Sequence, residues 1–213
     1  MGMDVYGRNP KQNKPMSEFP VLAKYKEMED SDNDITDEGK ENDWSGFKQK
    51  WRELDADHDL REQYWKEQHD YEDVNKGHYF RNNCWWWRPL WNYCKTVAPD
   101  LIDDELFDEG HSNSGAGLDD KGAKELGKRL LDEINNGNTI QYQASYQQYL
   151  DDLPDDVCSR CNGYNRGNKK MKDCKMCNGT GKTTNFNKSY PFDIDNVKEF
   201  AEFCIQSGGF KIC

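Results

Sequence analysis

Long hydrophobic runs are missing from this chain of 213 residues. No stretch approaches the roughly 18–20 apolar residues of a membrane-spanning helix. The start, Met1-Gly-Met-Asp-Val-Tyr-Gly7, lacks both the basic residues and the apolar run of a secretory signal. Gly2 invites an N-myristoylation reading, but Tyr6 stands where that motif takes Ser or Thr. A soluble, cytosolic protein without a membrane partner is the expectation. Histidine is scarce, at four residues, and no HExxH, G-x-S-x-G, Walker or dinucleotide-binding pattern occurs. The familiar signatures of metalloprotease, α/β-hydrolase, NTPase and Rossmann enzymes are therefore absent. Apolar residues are few overall, 34% against 32% charged, yet seven Trp and eleven Tyr supply enough bulk for a real core.

Four of the eight cysteines form two CxxC knuckles, Cys158-Ser-Arg-Cys161 and Cys174-Lys-Met-Cys177. Each knuckle sets two thiolates on one tight turn, and two knuckles close a tetrahedral four-sulfur cage around Zn²⁺. Asn-Gly follows each pair, and a Gly two residues past the second thiolate lets backbone N–H groups point at sulfur. The expected cofactor is one structural Zn²⁺ on Cys158, Cys161, Cys174 and Cys177; a closed Cys₄ site has no open position for catalysis. Cys84, Cys94, Cys204 and Cys213 have no CxxC partner and read as small hydrophobes in a reducing compartment.

Charge is segregated. Between Cys158 and Lys188 eight cations face the single acid Asp173, a formal +7 that leaves −18 for the rest of a chain whose total is −11. A basic knob on an acidic body points to an anionic contact, by protein or nucleic acid, with Arg166, Lys169, Lys170, Lys172 and Lys182 as the candidate binding residues. Lysines that only keep a small module soluble would look the same.

The remaining pattern predicts an α+β fold: a mainly helical body with short strands and an inserted zinc-ribbon hairpin. Residues 1–157 form the body, with an acidic insertion at about 11–76; 158–188 form the Cys₄ module; 189–213 give a final helix and strand that pack back on the body. Met3–Gly7 reads as a strand. Ser17-Glu-Phe-Pro20 starts a helix through Met28, and the acidic stretch from Glu27 to Asp43, with no apolar period, reads as a solvated loop. Trp44, Phe47, Trp51 and Leu54 mark a helix from about Asp43, and a second runs to about Tyr71. Asp55-Ala-Asp57-His-Asp59 imitates a calcium loop, but Leu60 and Lys66 occupy the positions of its Gly and bidentate Glu, which excludes it. Tyr79 and Phe80 suit a strand, and Pro89 the first turn of the next helix. Gly110–Gly117 reads as a flexible loop. Asp119 caps a helix with Ala123, Leu126, Leu130 and Ile134 inward, Tyr142, Tyr146 and Tyr149 mark another, and Asp193 caps the last. Phe210–Cys213 is then a terminal strand beside Val5.

The two knuckles resemble the CxxCxGxG repeat of the DnaJ cysteine-rich domain. The second matches through Gly181; the first reads Cys-Asn-Gly-Tyr-Asn-Arg-Gly, with its second Gly displaced to 167. Two repeats in place of DnaJ's four imply one zinc and a hairpin-like ribbon, and the His-Pro-Asp signature of the J-domain is absent. The module is also similar to that of small zinc proteins such as anti-TRAP, which implies assembly or protein binding. More broadly, MGMDVYG, Tyr79-Phe-Arg-Asn-Asn-Cys-Trp-Trp-Trp-Arg-Pro-Leu-Trp91 and Tyr190-Pro-Phe…Gly208-Gly-Phe210 resemble an uncharacterised bacteriophage and bacterial family. That resemblance implies a phage-type accessory or counter-defence protein acting in a host cytoplasm.

Two functional readings follow. One is a non-enzymatic interaction protein that binds a protein partner through the basic module or the acidic surface. The other is a small-ligand protein, a nucleotide sponge or an enzyme, built on Arg81, Asn82, Asn83, Trp86, Arg88, His111 and Asn113. In that set Arg and Asn would hold phosphate and base edges while Trp stacks a ring. Three successive Trp serve equally well as core and helix start, which favours the first reading. No catalytic residue is assigned.

Overall fold

The structure is a computed structural model and describes residues 2–32, 45–162 and 174–213. Over these residues the fold is α+β and mainly helical, with a few short antiparallel strands. None of the described helices is long and apolar enough to cross a membrane.

The main core is built on a three-stranded antiparallel sheet in the order β2-β1-β5, formed by β1 (Gly2–Gly7), β2 (Tyr79–Asn83) and β5 (Phe210–Ile212). Val5 pairs with Phe80 on one side and Ile212 on the other. Alternation along these strands buries Met3, Val5, Phe80, Phe210 and Ile212 together with side chains of α4 (Cys84–Val97), α6 (Asp120–Asn135) and α8 (Ile194–Gln206). Asp119 and Asp193 cap α6 and α8 as their positions before apolar-periodic segments predict. Gly208 permits the turn into β5: its φ is +62°, and a Cβ there would lie 2.0 Å from the Asn9 carbonyl oxygen.

Pro89 does not sit in the first turn of its helix. β2 passes directly into α4, because the Asn83 side chain accepts hydrogen bonds from Trp85 N–H (3.0 Å) and Trp86 N–H (3.1 Å), so the helix starts at Cys84. The three tryptophans thus enter the first turn, and Trp87, Leu90, Trp91 and Cys94 make the buried stripe. Trp87 and Trp91 stack at 5.4 Å, and their indole N–H groups donate to Gly110 and Phe107 C=O. These two bonds hold the short acidic helix α5 (Asp104–Glu109) against α4. The segment 110–117 is likewise anchored. Gly115 N–H donates to Ile212 C=O and Ile212 N–H to Ala116 C=O, both at 2.7 Å.

A second hydrophobic cluster belongs to α1 (Pro20–Asp32), α2 (Ser45–Ala56) and α3 (His58–Val74). Phe19, Leu22, Tyr25, Leu54, Tyr64 and Tyr71 are its buried members. α1 runs four residues beyond Met28 into the acidic stretch read as a loop; residues 33–43 of that stretch, and Trp44 after it, lie outside the described residues. Lys50 is buried here, and its ammonium donates to Tyr64 Oη at 2.8 Å and lies 4.6 Å from the Tyr64 ring centre.

The two chain crossings at the base of this helical trio are tied by one amide. Asn75, 1% exposed, accepts from Asn13 N–H and Lys14 N–H and donates to Lys14 C=O. Asn75→Ala would leave those groups without partners, at an expected cost of about 2 kcal/mol or more. Urea unfolding reads this directly, and an unchanged midpoint would show that water replaces the amide.

Candidate metal centre

The last residues before the first knuckle and the first after the second form a neck. β3 (Asp156–Val157) pairs antiparallel with β4 (Lys182–Thr183), and Cys158 N–H extends the ladder to Gly181 C=O at 2.9 Å. An Asn185-centred clamp fixes the neck to the body. Its side-chain amide donates to Pro154 C=O (2.9 Å) and Asp156 Oδ1 (3.2 Å), while Asp156 Oδ2 accepts from Phe186 N–H (2.9 Å). The polypeptide then returns along α4, where Trp85 packs against Phe186 and Tyr190 at 5.1 and 4.9 Å between ring centres.

Above the neck the two knuckles face each other with a shared local conformation. The residue after each second cysteine, Asn162 and Asn178, lies in the left-handed region at φ 49° and 50°. Among non-glycine residues asparagine enters this region most readily, so the Asn that follows each CxxC does the first part of the turn. In the second knuckle Gly179 and Gly181 continue it at φ 82° and 76°. The Gly181 N–H then donates to Cys177 Sγ at 3.3 Å.

The sulfurs close across the knuckles, first with first and second with second: Cys158 to Cys174 at 3.8 Å and Cys161 to Cys177 at 3.7 Å. All four lie within 4.8 Å of one another. A disulfide would require about 2.05 Å. A regular tetrahedron with metal–sulfur bonds of about 2.3 Å has an edge of about 3.8 Å, which matches the two closest approaches. Cys158, Cys174 and Cys177 are buried, and among the described residues their cluster contains no apolar side chain besides the cysteines themselves. The four thiols therefore gather without an apolar core to draw them together, as side chains that share an ion do. Burial alone would raise the Cys177 thiol, but the hydrogen bonds from Gly181 N–H and the neighbouring thiols outweigh it and bring it down to about 6. The direction of that shift favours the thiolate, the form in which cysteine binds a metal. The four cysteines fit a single thiolate-bound metal ion.

Cys94 and Cys204, in contrast, are fully enclosed in the main core, where burial pushes both thiols well above their ordinary range. They are inert packing groups. Cys84 and Cys213 are half-buried and free.

Of the candidate binding cations, Lys182 sits exposed on β4; Arg166, Lys169, Lys170 and Lys172 lie outside the described residues. Arg160 and Lys175, exposed within the knuckles, add to the positive face. Sequence periodicity gave no sign of the apolar residues beside them: Val157 and Met176 are 65% and 55% exposed. A shallow depression of about 470 Å³ lies between the second knuckle and the neck, with Met176, Asn178 and Lys182 on its walls.

The seven residues of the small-ligand reading fall in separate places. Asn113 donates to Gly2 C=O at 3.3 Å, Asn83 opposes Gly2 in the sheet register, and Arg81 faces Asp4 at 3.6 Å, so these three gather at the start of β1. Asn82 donates to Asn196 Oδ1 at 2.8 Å, and Trp86 is half-buried in the first turn of α4. Arg88 turns the other way, donating to Tyr190 Oη at 2.8 Å and lining a cleft of about 350 Å³ with Tyr146 and Tyr149. His111 is half-buried edge-on against Phe107, and burial, then the Arg88 charge, lowers its pKa against a smaller opposing effect of Asp108. No family model, curated protein or solved structure matches the chain.

Proposed function

We propose that this is a zinc-stabilised interaction protein whose Cys₄ hairpin docks on an acidic surface of a partner protein. Four thiolates in a tetrahedral arrangement select Zn²⁺ or an Fe–S centre over harder ions, and two CxxC knuckles at this spacing are the pattern of structural zinc. With four protein ligands the ion has no free position, so its role is to hold the hairpin's shape. The resemblance to two-repeat DnaJ-like modules supports the same reading, and the resemblance to bacteriophage chains favours a partner in a bacterial host. The observation that carries the proposal is the composition of the hairpin surface: Val157 and Met176 exposed beside Arg160, Lys175 and Lys182. Exposed apolar side chains with three cations and the acid Asp155 beside them suit an anionic partner, the apolar contacts giving affinity and the charges orientation and rate.

Two measurements test this. Elemental analysis of native protein should find one zinc per chain. A photo-crosslinking amino acid at position 176 should then capture a host protein, with capture reduced about tenfold or more by reversal of Arg160, Lys175 and Lys182 to Glu. The same crosslinker at Ile140, 59% exposed on α7 (Asn138–Asp152), is the control. Equal capture from both positions, or capture that survives the reversal, would rule the hairpin out as the docking surface.

The small-ligand reading retains one observation in its favour, the aromatic cleft at Arg88. A retained nucleotide in native mass spectrometry, lost on Arg88→Ala, would favour it.

A further inference from the structure

The two edges of the three-stranded sheet are unlike. On the β5 side the segment from Gly115 to Leu118 covers the strand, with Phe210 N–H donating to Leu118 C=O in addition to the two bonds made by Ile212. On the other side β2 is outermost. The phase of the ladder decides which of its groups face outward. Asp4 exchanges both backbone bonds with Cys213, so Asp4 and Tyr6 face β5, while Gly7 N–H donates to His78 C=O. In the register of β1 with β2, Phe80 and Asn82 therefore bond toward β1, and Tyr79 and Arg81 turn their N–H and C=O groups away. These four groups have no hydrogen-bond partner among the described residues.

Beside this edge runs a groove of about 290 Å³ between the C-terminal end of α3 and α8, with Phe80 and Phe203 in its floor. Its two cations are already matched: Lys76 binds Glu202 at 2.5 Å, and Arg81 faces Asp4. Glu72, Asp73 and Glu199, on the groove walls, make no ion pair among the described residues. Lys76 lies near enough to Asp73 and Glu199 for their charges to raise its pKa, and Glu72 accepts from the Gln68 amide, but the acids on the walls outnumber the cations. The groove thus offers unpaired strand groups along one wall and a surplus of carboxylates along the others.

We propose that this edge accepts an extended basic segment of another protein as an added strand. Backbone pairing at Tyr79 and Arg81 would supply the affinity. Side chains two residues apart on a strand share a face, so an apolar side chain over the Phe80–Phe203 floor would be flanked by lysine or arginine side chains directed at the carboxylates. Charge selects the occupant. Paired edge to edge, a second copy of this chain would bring the same carboxylates against themselves. This edge lies on the sheet, apart from the metal hairpin, and its occupation does not depend on what the hairpin binds.

The test uses the full chain and a seven-residue peptide with lysine at its second and sixth positions and valine at its fourth. Amide exchange at Tyr79 and Arg81 should slow about tenfold or more at saturating peptide. The same peptide with glutamate for lysine should give no protection. Glu72→Lys, Asp73→Lys and Glu199→Lys together should abolish binding without unfolding the protein. Arg81→Pro removes one outward donor, which an edge strand tolerates, and should weaken binding with near-ultraviolet dichroism preserved. Binding of the lysine peptide without protection of those two amides overturns the proposal, as does no protection at millimolar peptide. Protection that rises with protein concentration alone assigns the edge to a second copy and overturns it too.

Discussion

Cys158→Ser is expected to release the bound metal and unfold the hairpin while both aromatic cores stay folded. Cys158 is fully buried and is both one of the four clustered thiols and the residue that extends the neck ladder to Gly181. Serine cannot replace a thiolate on a soft-ligand ion, and a structural zinc site contributes roughly 10–16 kcal/mol of apparent binding energy at neutral pH. The hairpin has no apolar core among its described residues to fall back on. Zinc content should drop from one per chain to near zero, and amide exchange within 158–162 and 174–181 should become fast. Near-ultraviolet dichroism from the stacked Trp87–Trp91 pair should persist. A variant that retains one metal ion would remove Cys158 from the ligand set. Loss of tryptophan dichroism in the same variant would mean that the hairpin is part of the body's folding unit.

Acid should produce the same outcome by another route. With its pKa held at about 6 rather than 9.0, Cys177 is a group whose folded value is depressed. Its stabilising contribution is complete above about pH 9, shrinks as the pH falls, and is gone below about 6. Metal release should therefore steepen toward pH 6, with a proton uptake per ion greater than one.

Trp87→Ala should be the most damaging change in the body. The indole is fully buried, stacked on Trp91 and edge-on to Phe200, and its N–H is the donor to Gly110 C=O at 2.7 Å. Truncation of a buried Trp costs about 3–5 kcal/mol, and the abandoned carbonyl adds to that. In a chain of this length the melting temperature should fall by about 10 °C or more. Trp87→Phe keeps most of the volume but not the N–H, so its loss relative to the native protein reads mainly the hydrogen bond, and the difference between the two variants isolates the cavity. Equal losses from both would assign the effect to Gly110 and α5 rather than to the cavity.

Much of the candidate site was legible because metal ligation is local chemistry. Two thiols three residues apart must share a turn, and the Asn-Gly after each pair announces that turn, so ligands and approximate shape were readable from spacing. Caps at Asp119 and Asp193 were legible for the same reason. Pro89 was misplaced because Asn83 is both the last strand residue and the helix cap, and no spacing rule anticipates a strand passing into a helix without a loop. The segment 110–117 looked mobile from its Gly and Ser content. Its anchoring to Ile212 is a contact across about a hundred residues, invisible to any local pattern. α1 extends into a run of acids that lacks apolar periodicity, where packing of its first turns against α2 and α3 outweighs weak local preference.

From the order of residues alone come the thiolate cage, the polarity of the molecule and the helical character of its body, since each depends on neighbours within a few positions. Only folding in three dimensions decided that Val157 and Met176 stand exposed beside cations, that Arg81 and Arg88 serve different surfaces, and that β2 keeps an uncovered edge. Those outcomes depend on which distant segments happen to lie alongside, a matter of long-range packing that sequence spacing does not encode.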